Sequence, residues 1–216
     1  MARRILAALV LTALTVTVSA PAHAGFGVGA DAATRYIWRG LSLDDSFVIQ
    51  PYLSYATEAG IEIGAWSSWS LTSSGANEND LYVSYSTGPV SITLSDYYFP
   101  NGGGTEFFNY DDDDAVHQLE AMVSFASGPL SVTGALIFLG AAGTTPVYAE
   151  VGYEFMSGDD VSAGLFAGLG TESYYTSSGD PALINVGIGV SMGDYSASYI
   201  LNPDTEQSYL VLMKGL

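Results

Sequence analysis

The chain has 216 residues, enough for one domain, and it carries 23 acidic residues against five basic ones. This excess of negative charge disfavours nucleic acid as a partner and favours cations. The chain has no cysteine, so a disulfide framework is excluded. Mean hydropathy is nevertheless positive, at +0.26. Beyond the N-terminal region, no stretch has the roughly 18 consecutive apolar residues that indicate a transmembrane helix.

Residues 1–24 are predicted to be a secretory signal peptide. Arg3 and Arg4 supply a basic start, residues 5–18 are apolar, and residues 22–24 (Ala-His-Ala) form a small-x-small cleavage site. A membrane anchor is the alternative, but an apolar stretch of about 14 residues is too short to span a bilayer comfortably. We therefore expect the folded domain to comprise the remainder of the chain, residues 25–216.

This remainder consists of runs of about ten residues in which every second residue is apolar. Residues 85–95 and 125–135, for example, each contain an aromatic, a Ser/Thr-Gly-Pro turn, and an apolar residue five places after the aromatic. Such alternation gives a strand one apolar and one polar face. The pattern predicts twelve strands at about 26–39, 47–56, 61–71, 80–87, 90–99, 115–126, 130–139, 146–156, 161–172, 183–192, 195–201 and 207–216.

The connections between these strands alternate between short and long. The short ones are at 57–60, 87–89, 127–129, 157–160 and 193–194, and the long ones at 40–46, 70–80, 100–114, 140–145, 173–182 and 202–206. Outer-membrane barrels have short periplasmic turns and longer extracellular loops. The sequence therefore predicts an all-β fold, a closed antiparallel transmembrane β-barrel in which the first and last strands pair. A soluble β-sandwich, the alternative, does not require this alternation.

Aromatic residues recur on the apolar face close to the strand ends, and we expect them to form the two aromatic girdles of a membrane barrel. At the short-turn end they are Phe26, Tyr55, Tyr85, Phe125, Phe155 and Tyr195. At the opposite end the girdle is predicted to contain Trp38 and Trp69.

The opposite face of the strands is predicted to line the barrel interior with Ser, Gly and six charged residues. These lumen residues are Arg35, Arg39, Glu62, Glu120, Glu150 and Glu154. We expect the arginines to pair with some of the glutamates, because an unpaired charge in a narrow interior is costly. The charges either select cations in a pore or form a salt-bridged plug. Twelve strands lined by small residues favour a narrow aqueous path.

Other chemistry is weakly indicated. The run Asp111, Asp112, Asp113 and Asp114 could bind a divalent cation, although its spacing is not that of an EF-hand and an acidic loop is usually only solvated. His117 is the only histidine after residue 24, and no serine-hydrolase, zinc or cysteine-nucleophile motif accompanies it. We expect neither enzymatic activity nor a cofactor.

The first half of the chain resembles a family of bacterial outer-membrane proteins. The residues that carry the resemblance are 36–42 (YIWRGLS), 50–55 (QPYLSY) and 60–68 (GIEIGAWSS), with further likeness at 78–85 and 97–100. The pattern is similar to that of conserved hypothetical proteins of the TorF or Gcw type. The resemblance implies a signal-bearing outer-membrane barrel and implies little about activity.

The clear similarity covers residues 34–100, and the second half matches only in its strand character. Barrels of this kind commonly end in an aromatic residue that the assembly machinery recognises. This chain instead ends in residues 212–216 (LMKGL), and Tyr209 is the nearest aromatic.

The predicted function is that of a narrow porin-like channel for passive diffusion of small polar solutes or cations. The alternative is a closed barrel with a structural or surface-binding role and no transport, and a soluble periplasmic protein is a third interpretation. The expected location is the cell outer membrane. The expected partners are outer-membrane lipid, the barrel assembly machinery and a small polar solute or cation, without nucleic acid.

Overall fold

The computed structural model describes residues 24–72, 77–100, 107–110 and 116–216. Within these ranges the chain forms fourteen strands and one short helix. The strands are β1 Gly25–Ala33, β2 Tyr36–Trp38, β3 Leu41–Asp44, β4 Val48–Ala56, β5 Ile61–Ser70, β6 Glu78–Thr87, β7 Val90–Tyr98, β8 His117–Ser127, β9 Leu130–Leu139, β10 Val147–Ser157, β11 Val161–Gly170, β12 Ala182–Met192, β13 Tyr195–Asn202 and β14 Gln207–Gly215. The helix is α1 Glu172–Tyr175. In this described part of the chain, no helix has the length and apolar character needed to cross a membrane.

Twelve of the strands form one closed antiparallel barrel, which confirms the predicted all-β barrel and its strand number. From β4 to β14, each strand pairs with the next one along the chain. β1 pairs with β4 over its whole length and with β14 over residues 31–33, and this second pairing closes the sheet. β14 therefore takes part in closure even though it does not end in an aromatic residue.

The two ends of the barrel differ as the sequence predicts. Turns such as those at Gly88 and Gly128 join neighbouring strands at one end, and both glycines have positive φ angles of 55° and 58°. Positive φ is the geometry that tight hairpin turns require. At the other end lie the longer connections, which include α1 and the segment between β1 and β4.

Exposure alternates along the strands. In β9, Leu130 and Val132 are exposed, whereas the intervening Ser131 and Thr133 are half-buried. Thr133 faces Ser124 of β8 inside the barrel, and their hydroxyl oxygens are 3.0 Å apart. The outer wall is therefore apolar and the inner wall polar, as the periodicity predicts.

The segment after β1 departs from the prediction of one strand over residues 26–39 followed by a loop over 40–46. β1 ends at Ala33, and β2 and β3 form a separate hairpin, which we call the interior hairpin (residues 36–44). Ile37 in this hairpin is almost completely buried. It packs against a cluster that contains Phe166 of β11, Ile200 of β13, and Tyr209 and Val211 of β14. The interior hairpin therefore lies across the inside of the barrel, near the long-connection end.

The residues of the hairpin explain why it leaves the barrel wall. Tyr36, Ile37 and Trp38 are consecutive apolar or aromatic residues, so both faces of β2 need burial, whereas a wall strand needs only one apolar face. Tyr36 meets Trp66 of β5 edge to face with ring centroids 5.6 Å apart. Periodicity alone does not distinguish such a strand from the end of a barrel strand.

Candidate functional site

The tip of the interior hairpin is a two-residue turn at Arg39 and Gly40. Both residues have positive φ angles, 52° and 79° respectively, which is the geometry of the hairpin turns that match strand twist. A Cβ on Gly40 would lie 1.9 Å from the carbonyl oxygen of Ile184 in β12. Asn202 of β13 donates a hydrogen bond of 3.1 Å to the Gly40 carbonyl oxygen. The tip is therefore packed directly onto the barrel wall.

The Arg39 side chain binds the wall through a buried ion pair. Its guanidinium donates two hydrogen bonds to Glu120 of β8, at 2.5 and 2.8 Å, in the bidentate geometry of strong Arg–carboxylate pairs. The side chains are only 8% and 1% exposed. Arg39 also donates to the hydroxyl of Tyr175 and lies 4.4 Å from the ring centre of Trp38. The pair thus links the hairpin to β8 and α1 inside the barrel.

A second polar cluster lies beside the hairpin. Tyr36 donates a hydrogen bond of 2.8 Å to Glu78, the first residue of β6. Glu78 and Asp80 project inward from β6 and are only 4% and 8% exposed. One carboxylate oxygen of Asp80 has no hydrogen-bond partner. Two carboxyl groups are therefore buried together next to the hairpin.

A cavity of about 330 Å³ opens between the hairpin and strands β6, β7 and β8. It is lined by Trp38, Leu41, Leu43, Glu78, Tyr97, Phe99, Gln118 and Tyr174. We call this space the aromatic cavity. The Trp38 ring contacts two of the other rings, since its centroid lies 6.0 Å from that of Tyr97 and 6.2 Å from that of Tyr174.

The predicted lumen residues divide into several groups. Arg39 and Glu120 are brought together, as expected for some of the arginine–glutamate pairs. Arg35 instead pairs with Asp45, a loop residue, with 3.4 Å between the guanidinium nitrogen Nη1 and the carboxylate oxygen Oδ1. This pair is partly exposed. Glu154 is half-buried on the inner side of β10.

The remaining two predicted glutamates accept hydrogen bonds from inner-wall tyrosines rather than from arginine. Tyr82 donates to Glu62 at 2.6 Å. Glu150 accepts from Tyr148 and, at 2.8 Å, from Asn185. Hydrogen bonding therefore stabilises these two carboxyl groups, neither of which forms an ion pair with a described residue.

The predicted girdle aromatics lie on the outer face, with one exception. Exposed on the wall are Phe26, Tyr55, Tyr85, Phe125, Phe155, Tyr195 and Trp69. Phe26 and Tyr55 form a cross-strand pair with ring centroids 4.9 Å apart. Trp38 was predicted to join the outer girdle, but it lies in the interior hairpin and packs against Tyr97, Tyr174 and Tyr175. Its placement changes because β1 ends before it.

His117, at the start of β8, is buried among aromatic residues and lies beside Asp96. Its ring lies 2.7 Å from an oxygen of Asp96 and stacks on Tyr110 with centroids 4.2 Å apart. Tyr110 in turn donates a hydrogen bond of 2.7 Å to Asp96, and this bond raises the pKa of Tyr110 to about 12. Phe107 covers the ring edge to face. The arrangement fixes residues 107–110 against the barrel.

The acidic run Asp111–Asp114, predicted as a weak cation site, lies outside the described residues. Among the residues that are described, no group of three or more His, Cys, Asp or Glu side chains is placed to hold a metal ion.

Sequence reasoning did not identify Glu78, Asp80, Tyr97 or Tyr174 as site residues. The signal was present for the first two, because they alternate with the outward Leu81 at the start of a strand and so fall on its inner face. Tyr97 and Tyr174 become site residues only when the hairpin brings Trp38 beside them.

Residues 18–208 match the family model described as "Bacterial protein of unknown function (Gcw_chp)". No curated protein matches the chain.

Proposed function

The chain belongs to the Gcw_chp family of bacterial proteins, and we propose that it is an outer-membrane β-barrel whose interior hairpin blocks passive diffusion. The membrane location is supported by the outer wall. Large apolar side chains on five different wall strands are about half exposed at outward positions, namely Leu53, Val83, Val151, Leu165 and Leu210. Soluble monomers rarely expose contiguous apolar patches beyond a few hundred Å². Lipid is the medium in which such a wall is stable.

The observation that carries the blocked state is the buried contact between Arg39 and Glu120. The pair joins a hairpin that follows β1 to the inner wall of β8, so the connection crosses the barrel interior. Packing of Ile37 against three further strands, β11, β13 and β14, supports the same conclusion. A solute that entered from the long-connection end would meet this hairpin.

The orientation follows the usual layout of such barrels. The short turns face the periplasm and the longer connections face the cell exterior, after export by the signal peptide and insertion by the barrel assembly machinery. The aromatic cavity then opens at the outer surface. The resting protein is a blocked, surface-binding barrel, and its role is binding rather than catalysis.

A porin-like channel for small polar solutes or cations is the second candidate. It is favoured by the inner wall between the hairpin and the short turns, which is lined with Ser and Thr and carries Glu62 and Glu154. If the hairpin moved aside and took Arg39 with it, this lining would form a cation-selective path, to which the carboxylates of Glu120 and Glu150 would contribute.

Liposome swelling separates the two candidates. Refolded protein is reconstituted into liposomes, and swelling is followed after addition of small sugars and salts, with a known diffusion porin as positive control. We expect the rate to remain at that of protein-free liposomes. Swelling that falls with solute size would favour the porin-like channel.

Membrane fractionation tests the location separately. The expressed chain should be recovered in the outer-membrane fraction, with an electrophoretic mobility that changes on heating. Recovery as a detergent-free periplasmic protein would contradict the proposal.

A further inference from the structure

The aromatic cavity has the size of a small-molecule site. Its volume of about 330 Å³ falls at the lower end of the range for ligand pockets, roughly 300–1,000 Å³. It lies at the long-connection end, because Glu78 begins β6, Phe99 follows β7 and Gln118 lies near the start of β8. The cavity therefore suits a compact ligand that arrives from that side.

The cavity walls are aromatic. Trp38, Tyr97 and Tyr174 line it, and the Trp38 ring meets the other two edge to face. Aromatic ring faces attract cations, and sets of such rings recognise quaternary ammonium groups. Two of the hydroxyl groups are already used, because Tyr97 donates to Glu120 and Tyr174 donates to Gln118. The rings of Tyr97 and Tyr174 are thus held in place by hydrogen bonds to Glu120 and Gln118.

One wall carries two buried carboxyl groups that have no cation beside them in the described part of the chain. Glu78 lines the cavity, and Asp80 lies beside it with one oxygen unpartnered. Among the described residues, neither carboxyl group takes part in an ion pair. A cation bound beside these two carboxyl groups would favour their ionised forms, because an opposite charge offsets the cost of burying a carboxylate.

The chain itself supplies no cation for this position. Of the three basic residues after residue 24, Arg39 is neutralised by Glu120 and Arg35 lies against Asp45. Lys214 lies over the ring of Tyr195, at the opposite, short-turn end of the barrel. A positively charged ligand is therefore the partner that the site lacks.

We propose that the aromatic cavity binds a small organic cation, of the quaternary or alkylated ammonium class, with its charge beside Glu78 and its apolar groups against Trp38, Tyr97 and Tyr174. A hydrated metal ion would leave the apolar walls unused, and an anion would face Glu78. This inference rests on the proposed surface-binding role and specifies its ligand class.

Calorimetric titration of the refolded protein with choline tests the inference. The control ligand is the neutral isostere of choline, in which a carbon atom replaces the quaternary nitrogen. We expect choline to bind at least about tenfold more tightly than the isostere, since only the cation gains the electrostatic and cation–π attraction. Equal affinities, or no binding of choline at millimolar concentrations, would overturn the proposal.

A pair of variants locates the site. Glu78→Gln removes the charge but keeps an oxygen that can accept the hydrogen bond from Tyr36. Glu62→Gln is the matched control, because Glu62 also accepts from an inner-wall tyrosine but lies at the short-turn end. We expect choline affinity to fall at least about tenfold for Glu78→Gln and to stay unchanged for Glu62→Gln. An unchanged Glu78→Gln affinity, or equal losses in the two variants, would overturn the proposal.

The choline-binding result and the test of the blocked barrel can fail independently of each other. The comparison of choline with its isostere uses the unmodified chain and holds even if a variant fails to fold. Solute flux through the same preparation in liposomes would contradict the blocked barrel without affecting the binding result. Absence of choline binding in a preparation that shows no flux would overturn the ligand class alone.

Discussion

Arg39 holds the tip of the interior hairpin against the opposite wall of the barrel. Its charge is buried and is balanced by Glu120 through two hydrogen bonds. Removal of one member of a buried pair leaves an uncompensated charge, which typically costs about 3–5 kcal/mol. Removal of one partner is therefore expected to destabilise the fold more than replacement of both partners by apolar residues.

We accordingly expect Arg39→Met to lower the free energy of unfolding by about 3 kcal/mol or more. The double variant Arg39→Met with Glu120→Leu should be more stable than the single variant, because no charge is then left alone. Urea unfolding in lipid vesicles, followed by tryptophan fluorescence, measures both values.

Arg35→Met is the matched control. Arg35 faces Asp45 in a partly exposed pair, with side chains 32% and 73% exposed. Such pairs contribute about 0–1 kcal/mol. A loss as large as that of Arg39→Met would contradict the distinction between the two arginines.

Gly40 provides a second residue-scale prediction. Ala at this position would place its Cβ 1.9 Å from the Ile184 carbonyl oxygen, in a backbone region that side chains rarely adopt. Gly40→Ala should therefore displace the hairpin tip and lower the unfolding midpoint. Gly88→Ala is the control, because Gly88 also has positive φ but has no atom within 4 Å of the added Cβ. Equal effects of the two substitutions would show that backbone conformation alone matters.

At this scale, the sequence predicted which residues face inward better than it predicted their partners. The alternation of side chains along each predicted strand placed Arg39 and Glu120 on the inner side, and these two residues pair. This alternation could not show that Arg35 would form an ion pair with Asp45, because that contact depends on how the chain turns after Ala33. Trp38 was assigned to the wrong side for the same reason.

The interior hairpin is the element that distinguishes this barrel from an open tube. β2 and β3 form their own two-stranded sheet and do not contribute to the twelve-strand pairing. The wall and the hairpin are therefore separable in principle. The hairpin adds buried contacts, whereas the wall supplies the continuous backbone hydrogen bonding that a membrane requires.

Replacement of residues 36–44 by a flexible Gly-Ser segment of equal length should leave the wall intact. We expect an unchanged far-ultraviolet circular dichroism spectrum for the strands and a lower midpoint of thermal unfolding, because the burial of Ile37 and Tyr36 is lost. Loss of the β-sheet spectrum would instead show that the hairpin is needed for the barrel to form.

The elements of the wall were predictable because every strand repeats one simple pattern. The predicted and observed bounds of β5, β9 and β10 differ by one residue at most. The hairpin was not predictable in this way. Its strands are short, and the run Tyr36-Ile37-Trp38 lacks the alternation on which the other assignments depend.

For the whole molecule, the main physical feature is the apolar outer wall. In water, an exposed Val→Arg change in a strand is close to neutral, within about 0.5 kcal/mol. In a bilayer the same change at mid-depth costs about 2–4 kcal/mol. The stability cost of one Val→Arg substitution therefore distinguishes a wall exposed to water from a wall embedded in lipid.

Val151 lies in the middle of β10 and is 54% exposed. Val151→Arg should destabilise the barrel in lipid vesicles by about 2–4 kcal/mol if the wall is embedded. Thr87→Arg, at the exposed short-turn end of β6, should cost much less. Urea titration in vesicles measures both changes, and equal, near-zero costs would contradict membrane embedding.

The family resemblance extends further than the sequence motifs suggested. The motifs are concentrated in residues 34–100, whereas the family model matches residues 18–208. The second half of a barrel repeats the strand pattern with few distinctive residues, so quoted motifs do not reveal a likeness spread over many positions.

Single-channel recording in a planar bilayer under a salt gradient tests the central claim most directly, namely that the interior hairpin blocks a membrane barrel. The wild-type chain is compared with the variant in which the Gly-Ser segment replaces residues 36–44. We expect no steady conductance from the wild type, and discrete cation-selective conductance from the variant, whose inner wall retains Glu62 and Glu154. Equal steady conductance from both would contradict the account.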